Sequence, residues 1–583
     1  MRIALPPTLT LAFLLPATAL AQEAADAVAP EAGTGLAVET SAPVTSETWM
    51  VAAANPLASE AGAAVLRRGG SAADAMVAVQ AVLGLVEPQS SGLGGGAFLV
   101  YYDAETGEVT TLDGRETAPI AATPKLFLDD AGEPMGFFDA VVGGLSVGTP
   151  GTPMLMEEAH RRWGTLNWRS LFTDAIGHAE EGFPVSLRLS MLVTEDQERL
   201  SSSEATAAYF LPNGQPLQKG ETLRNPAYGA TLRAIAAEGA DAFYEGEIAE
   251  GVVATVRGAA QPGVLSMDDM EAYTVKERAA VCAPYRGAEV CGMGPPSSGA
   301  LTVGQILGLL EGFDLAAMGP DSPEAWRLIG DASRLAFADR GRYMADSDFV
   351  PVPTAGLVDP AYLAERAELL AGDMALTEVE PGNPPFDHAA LHWADDQSLE
   401  LPSTSHISIV DAAGNALSMT TTIENGFGSR LFAPGGFLLN NELTDFSFRT
   451  HDEGVPIANR VEPGKRPRSS MSPTIVMQDG EPVLVVGSPG GSRIIGYVAK
   501  TIIAHMDWGM DVQQAVALPH LVNRFGTYDL EAGTSAEALA EPLTELGFEV
   551  NVRDLTSGLH VIAVGETLEG GADPRREGMA IGE

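Results

Sequence analysis

The residues best suited to chemistry begin at 401–411 of this 583-residue chain, "LPSTSHISIVD". A small-polar group, Ser403-Thr404-Ser405, abuts the alternating "HISIV", which predicts a strand. The hydroxyl of Thr404 keeps its proton near neutral pH and is a poor nucleophile as it stands. Cleavage of the Ser403–Thr404 bond would change that. Thr404 would gain a free α-amine, whose reference pKa of about 7.7–8.0 suits it to take the hydroxyl's proton. Nucleophile and base would then belong to one residue. A threonine before a strand is, by itself, ordinary sheet chemistry, so the stretch has to be weighed with its companions.

Four further stretches bear on it. "GSPGGS" at 487–492 follows an apolar run and precedes a helical pattern, so its backbone N–H groups could hold an anion. As a phosphate loop it lacks the G-x-x-x-x-G-K-[ST] pattern. An oxyanion hole from Gly490 and Gly491 suits acyl transfer, and a plain tight turn remains open. "NNELTDFS" at 440–447 offers Glu442 and Asp445 to an ammonium group, or to solvent. "GKRPRSSMSP" at 464–473 offers Ser469 and Ser470 to a carboxylate, while its Lys and Arg fit a solvated loop. Arg115, in "LDGRETAP", can grip a carboxylate bidentately or serve structure alone.

The elements that must position these groups are legible in outline. "PLASEAGAAVLRRGG" predicts a helix ended by Gly69-Gly70, and "SAADAMVAVQAVLGLVEP" a second, apolar one capped by Ser71. "SSGLGGGAFLVYYD" and "VTTLDGRETAP" predict strands, the second running into a loop at Arg115. Residues 150–400 read mainly as helices, ending in an exposed, Pro-rich loop over 380–402 that leads into the Thr404 motif. "HISIVDAAGNALSMTTTI" predicts a hairpin with a Gly-Asn turn. Helices and strands in both halves suggest helices layered on sheets.

Composition narrows the function classes. The net charge of −44 repels nucleic acid and anionic membranes. Residues 1–21 carry Arg2, an apolar run and the ending Ala19-Leu20-Ala21, which predicts a secretory signal peptide over a short membrane anchor. No later stretch approaches about 18 uninterrupted apolar residues, so no membrane partner is expected after its removal. Residues 22–47 predict a flexible linker. Cys282 and Cys291 flank a predicted strand–turn–strand, and an oxidising compartment favours a disulfide over a catalytic thiol or metal pair. Closing so short a loop would contribute roughly 2–3 kcal/mol.

Together, "STSHISIVDAAGNALSMTTTI", "FLLNNELTDFS", "KRPRSSMSPTIV" and "GSPGGSRII", with "GLGGGAFLV" and "LDGRETAP" upstream, resemble the γ-glutamyltransferases (glutathione hydrolases). The resemblance covers roughly residues 48–580. It implies an α+β fold, the four-layer αββα sandwich of N-terminal-nucleophile hydrolases. It implies self-cleavage at Ser403–Thr404 into a large subunit, 48–403, and a small one, 404–583, forming one intertwined domain and a heterodimer. By motif, Thr404 matches the nucleophile and Thr422 the hydroxyl that supports its amine. Arg115, Ser469 and Ser470 match the α-carboxylate site, Glu442 and Asp445 the α-amino site, and Gly490 and Gly491 the oxyanion hole. The implied donors are glutathione and other γ-glutamyl compounds, and the acceptors water, amino acids or peptides, in a periplasmic or secreted enzyme without metal or organic cofactor.

Two departures stand out. Glu424, in "TTIENGFGS", stands where many family members place Asn. Ionised, it only accepts hydrogen bonds, so it can assist an ammonium but repels a carboxylate. The stretch between Asp445 and Ser469 is short for members with a lid, which suggests a more open pocket. The rival functions are a glutaryl or cephalosporin-type acylase of the same fold, which needs no ammonium site, and a non-catalytic exported solute-binding protein.

Overall fold

The computed structural model describes residues 28, 29, 31, 42–388, 391–396 and 398–583. The signal peptide expected at 1–21 lies outside them. Fourteen strands build two large sheets. In chain order they are β1 (Val44–Ser46), β2 (Met50–Ala53), β3 (Gly96–Asp103), β4 (Glu108–Gly114), β5 (Lys276–Ala279), β6 (Val281–Tyr285) and β7 (Ala288–Gly292), then β8 (Ser405–Val410), β9 (Ala416–Thr422), β10 (Thr474–Gln478), β11 (Glu481–Gly487), β12 (His560–Val564), β13 (Leu568–Ala572) and β14 (Met579–Gly582). One sheet runs β14-β2-β8-β9-β3-β4-β5 and the other β1-β13-β12-β11-β10-β7-β6. Every neighbouring pair is antiparallel.

The sheets lie face to face, β8 and β9 against β11 and β12. Helices α1 (Pro56–Arg67), α2 (Ala72–Val86) and α3 (Thr152–Trp163) cover the first sheet. Helices α4 (Gly299–Leu310), α6 (Ile494–Met506) and α7 (Val512–Ala517) cover the second, with α5 (Pro323–Tyr343) behind α4. The result is the αββα sandwich that the resemblance implies. Local chemistry explains the key elements. Ser71 and Asp74 close a capping box at the start of α2, and all of its residues are buried, as suits a helix apolar on every side. Asn55 caps α1 by accepting the Leu57 N–H, with Pro56 in the first turn.

The β8–β9 hairpin lies near the middle of its sheet, and both of its strands are buried along their whole length. Its alternation has two different targets. Ile407, Ile409, Leu417 and Met419 join the core under α1–α3. On the other face, the Ser408 and Ser418 hydroxyls donate to the carbonyls of His560 and Val486 in the facing sheet, at 2.9 and 3.1 Å. Hydroxyls therefore satisfy the interior between the sheets, and the Thr404 strand is fixed from both faces.

The linker expected over 22–47 needs correction at two places. Residues Val44–Ser46 pair with β13 as an edge strand. Glu31 is buried between Arg188 and Arg576. Edge pairing uses backbone groups and the Glu31 ion pairs use charge, so neither leaves an apolar period to read. Cys282 and Cys291 face each other across β6 and β7 and are disulfide-bonded. Among the described residues, no helix is long and apolar enough to cross a membrane.

Candidate active site

Thr404 immediately precedes β8, and Thr422 closes β9. The hairpin register sets Ser405 opposite Thr421, so one step further the two threonines meet. Their hydroxyl oxygens are 3.3 Å apart. The Ser403 carbonyl, on the unbroken chain, accepts from Thr404 Oγ1 at 2.5 Å and from Thr422 Oγ1 at 2.9 Å. Thr422 Oγ1 itself accepts the Glu424 backbone N–H at 2.9 Å, which leaves its proton for that carbonyl. On the far side, Arg576 donates to the Thr404 carbonyl at 3.0 Å, and Ser403 Oγ donates to the Gln89 carbonyl at 2.8 Å. The 403–404 peptide unit is thus held while a hydroxyl touches its carbonyl. Thr422 is placed to stabilise negative charge developing on that oxygen.

A small cavity opens beside Thr404. It brings together Thr422, Arg115, Glu424, Glu442, Asp445, Ser469, Ser470 and Gly491. Gly490 stands apart from this lining and packs against the Tyr497 ring. Both glycines have positive φ, +138° and +59°. A Cβ on Gly491 would meet the carbonyl oxygens of Leu401 and Glu400 at 2.9–3.0 Å. Glycine is required there on both counts.

Glu442 and Asp445 share a single 3₁₀ turn, in which residues three apart eclipse, so both carboxylates face the same way. They meet Arg115, which follows β4. Arg115 donates to Glu442 and, at 2.5 Å, to Asp445, and also to the carbonyls of Pro467 and Arg468. Burial pushes the Glu442 carboxyl up, and Arg115 offsets only part of this. Asp445 is likewise raised by burial. Glu424 is raised by burial and then by Asp445. Glu116, next to Arg115, is pushed up to about 7 by burial. One guanidinium among four buried acids makes a region that favours an incoming cation. Among the described residues, no three His, Cys, Asp or Glu side chains are arranged to hold a metal ion.

One alternative and one expectation are overturned here. The Lys and Arg of "GKRPRSSMSP" are not solvated: Lys465, Arg466 and Arg468 are buried. Arg466 pairs with Asp113 at 2.5 Å, and Lys465 donates to the Ala458 carbonyl at 2.6 Å. The loop over 380–402 is exposed for much of its length but not where it nears Thr404. Glu400, Pro402 and Ser403 are buried. Sequence reasoning missed Glu400 and its partner Arg340, and Arg576 as well. The Arg340–Glu400 and Arg576–Thr404 contacts span 60 and 172 residues, and no local pattern joins them.

Known proteins bear on this geometry. Residues 58–583 match the family model for gamma-glutamyltranspeptidase. The chain is 39% identical to the glutathione hydrolase proenzyme of Bacillus subtilis strain 168, over 91% of each chain. The cephalosporin acylase of Bacillus halodurans superposes with a TM-score of 0.81 at 25% identity, over 94% of this chain and 97% of that one. The Helicobacter pylori gamma-glutamyltranspeptidase matches at 34% identity with a TM-score of 0.55, over 59% of this chain and 96% of that one.

Proposed function

The chain belongs to the gamma-glutamyltranspeptidase family, and we propose that Thr404 is the nucleophile with which it works. It is a γ-glutamyltransferase and glutathione hydrolase of the N-terminal-nucleophile type, made as a precursor. Self-cleavage begins when Thr404 Oγ1 attacks the Ser403 carbonyl carbon. The C–N bond breaks, the hydroxyl proton passes to the departing amide nitrogen, and an ester links Ser403 to Thr404 Oγ1. Water hydrolyses the ester. The products are a large subunit, which carries residues 48–403 and ends in a new carboxylate, and a small subunit, 404–583, beginning with a free amine.

In turnover that amine accepts the hydroxyl proton as Oγ1 attacks the donor's γ-carbonyl. The loop of Gly490 and Gly491 holds the oxyanion, and the amine returns the proton to the leaving group. The γ-glutamyl ester then passes to water, releasing glutamate, or to the amine of an amino acid or peptide. Glu442, Asp445 and Glu424 form the ammonium end of the donor site, and Arg115, Ser469 and Ser470 the carboxylate end. Glutathione has the required acyl group. A periplasmic or secreted location suits the acidic chain and the bonded cysteines.

The observation that carries this reading is the Ser403 carbonyl held by the two threonine hydroxyls at 2.5 and 2.9 Å. The purified protein should give two bands on a denaturing gel and hydrolyse γ-glutamyl-p-nitroanilide. Thr404→Ala should give one band and no turnover. Cleavage of that variant at the same bond would assign the nucleophile elsewhere. A second reading, a glutaryl-type acylase, draws on Glu424 and on the likeness to the Bacillus halodurans acylase. Faster turnover of glutaryl-p-nitroanilide than of the γ-glutamyl compound would favour it.

A further inference from the structure

The segment that ends at the bond to be cut lines the donor cavity through Glu400 and Leu401. Glu400 lies four residues before Thr404. Its carboxylate accepts from Arg340 Nη2, from Arg468 Nη2 at 3.3 Å, and from the Ser470 hydroxyl. The Leu401 N–H donates to Glu424 Oε1 at 3.2 Å. An anion thus sits against Ser470 and an N–H against Glu424, the two poles of an amino acid. From this arrangement, and resting on the reading of Thr404 as nucleophile, we infer that Arg340 and Arg468, with Ser470, clamp the carboxylate of the donor's acyl group. Glu400 fills that clamp in the precursor as the donor's stand-in.

The charge balance supports a clamp beyond Arg115. Arg115 already meets two carboxylates, Glu442 and Asp445, so little of its charge is left for a substrate anion. Among the described residues, Glu400 is the one carboxylate that pairs with Arg340. Arg468 pairs with Asp396 at 3.1 Å and with Glu400. When cleavage frees the segment and Glu400 withdraws, Arg340 becomes a buried cation without a paired anion, next to Ser470 of the cavity lining. Such a group favours a carboxylate strongly, because water no longer solvates it. The clamp also has its own supports. Arg340 Nε donates to Ser298 Oγ at 2.8 Å. Ser298 Oγ donates to the Ser469 carbonyl at 2.7 Å, tying Arg340 to the loop that carries both serines. The α5 helix fixes Arg340, so the guanidinium keeps its place through cleavage. Burial pushes the Glu400 carboxyl up, but Arg340 and Arg468 outweigh it and hold it down at about 2, so the stand-in is ionised wherever the enzyme works.

Two experiments on the mature protein test this. The first adds the hexapeptide of residues 398–403, Ser-Leu-Glu-Leu-Pro-Ser, to initial-rate assays with γ-glutamyl-p-nitroanilide. Competitive inhibition is expected, and the same peptide with Gln for Glu400 should bind about tenfold more weakly or worse. The second compares Arg468→Leu and Arg468→Lys with wild type on two donors: γ-glutamyl-p-nitroanilide and its carboxylate-free analogue 4-aminobutyryl-p-nitroanilide. Arg468→Leu should raise KM for the first donor about tenfold to a hundredfold, with kcat changed far less, and should affect the second donor little. Arg468→Lys should recover much of the loss. Equal losses on both donors, no loss on either, or a Gln peptide as potent as its parent would overturn the clamp. If neither variant matures, the peptide pair decides. Should wild type prefer glutaryl-p-nitroanilide, the proposed function changes and the clamp is tested with that donor, which keeps the carboxylate. Wild-type inactivity on both donors would count against the nucleophile reading, whereas lost carboxylate selectivity in an active enzyme counts against the clamp alone.

Discussion

Thr422 and Glu424 divide the work around the proposed nucleophile between two side chains. Thr422 accepts a backbone N–H and donates its own hydroxyl hydrogen bond to the Ser403 carbonyl, so its proposed task in the precursor is to stabilise charge on that oxygen. Thr422→Val removes the donor with little change in shape. Self-cleavage should slow by about 10²–10³, the typical effect of one lost oxyanion donor, as followed by band conversion on denaturing gels. In the proposed donor site Glu424 acts instead on the donor's ammonium. Burial and Asp445 raise its pKa, so it carries its charge only above a pH higher than a free carboxyl needs. Protonated, it attracts no ammonium. The KM for γ-glutamyl-p-nitroanilide should therefore fall as pH rises, up to about pH 8, where the donor's amine starts to lose its own proton. In Glu424→Gln that fall should flatten, and KM at the upper end should be about tenfold higher.

At the scale of elements, the Gly490–Gly491 loop and the 400–403 segment are fitted to each other. In Gly491→Ala a methyl would press on the Leu401 and Glu400 carbonyls, at a φ of +59° that costs an L-residue about 1–2 kcal/mol. Maturation should slow about tenfold or more, each 1.36 kcal/mol being tenfold in rate. Once the segment has gone that clash goes with it, so the matured variant should recover part of its turnover. Such pairings mark the limit of what the sequence discloses. The β8–β9 hairpin, α1, α2 and their caps follow from local pattern, because period, cap and turn residue lie within a few positions of each other. The motif residues were legible for the same reason. Glu400, Arg340 and Arg576 were not, because each acts through a partner brought close only by the finished fold. The burial of Arg466 and Arg468 was hidden too, since a run of cations looks solvated until Asp113, Asp396 and Glu400 arrive from elsewhere.

Across the whole molecule, the two sides of the 403–404 bond share both sheets. β8 and β9, from beyond the bond, lie between β2 and β3, from before it. In the facing sheet, β10 pairs with β7 across the same divide. The two fragments should therefore co-elute as one heterodimer on gel filtration and part only in denaturant. Fragments that separate under native conditions would contradict the shared sheets. Separate synthesis of the pieces should yield little activity, since neither holds a complete sheet.

The Arg576 contact also sets a clock. The guanidinium that steadies the Thr404 carbonyl lies 172 residues downstream, and β14, beyond it, pairs with β2 alongside the Thr404 strand. While translation is still short of that point, the nascent chain lacks a piece of the apparatus that cuts it. Scission therefore reports on completion: a chain stalled or misassembled before residue 576 should stay whole, and a nicked one has already passed inspection.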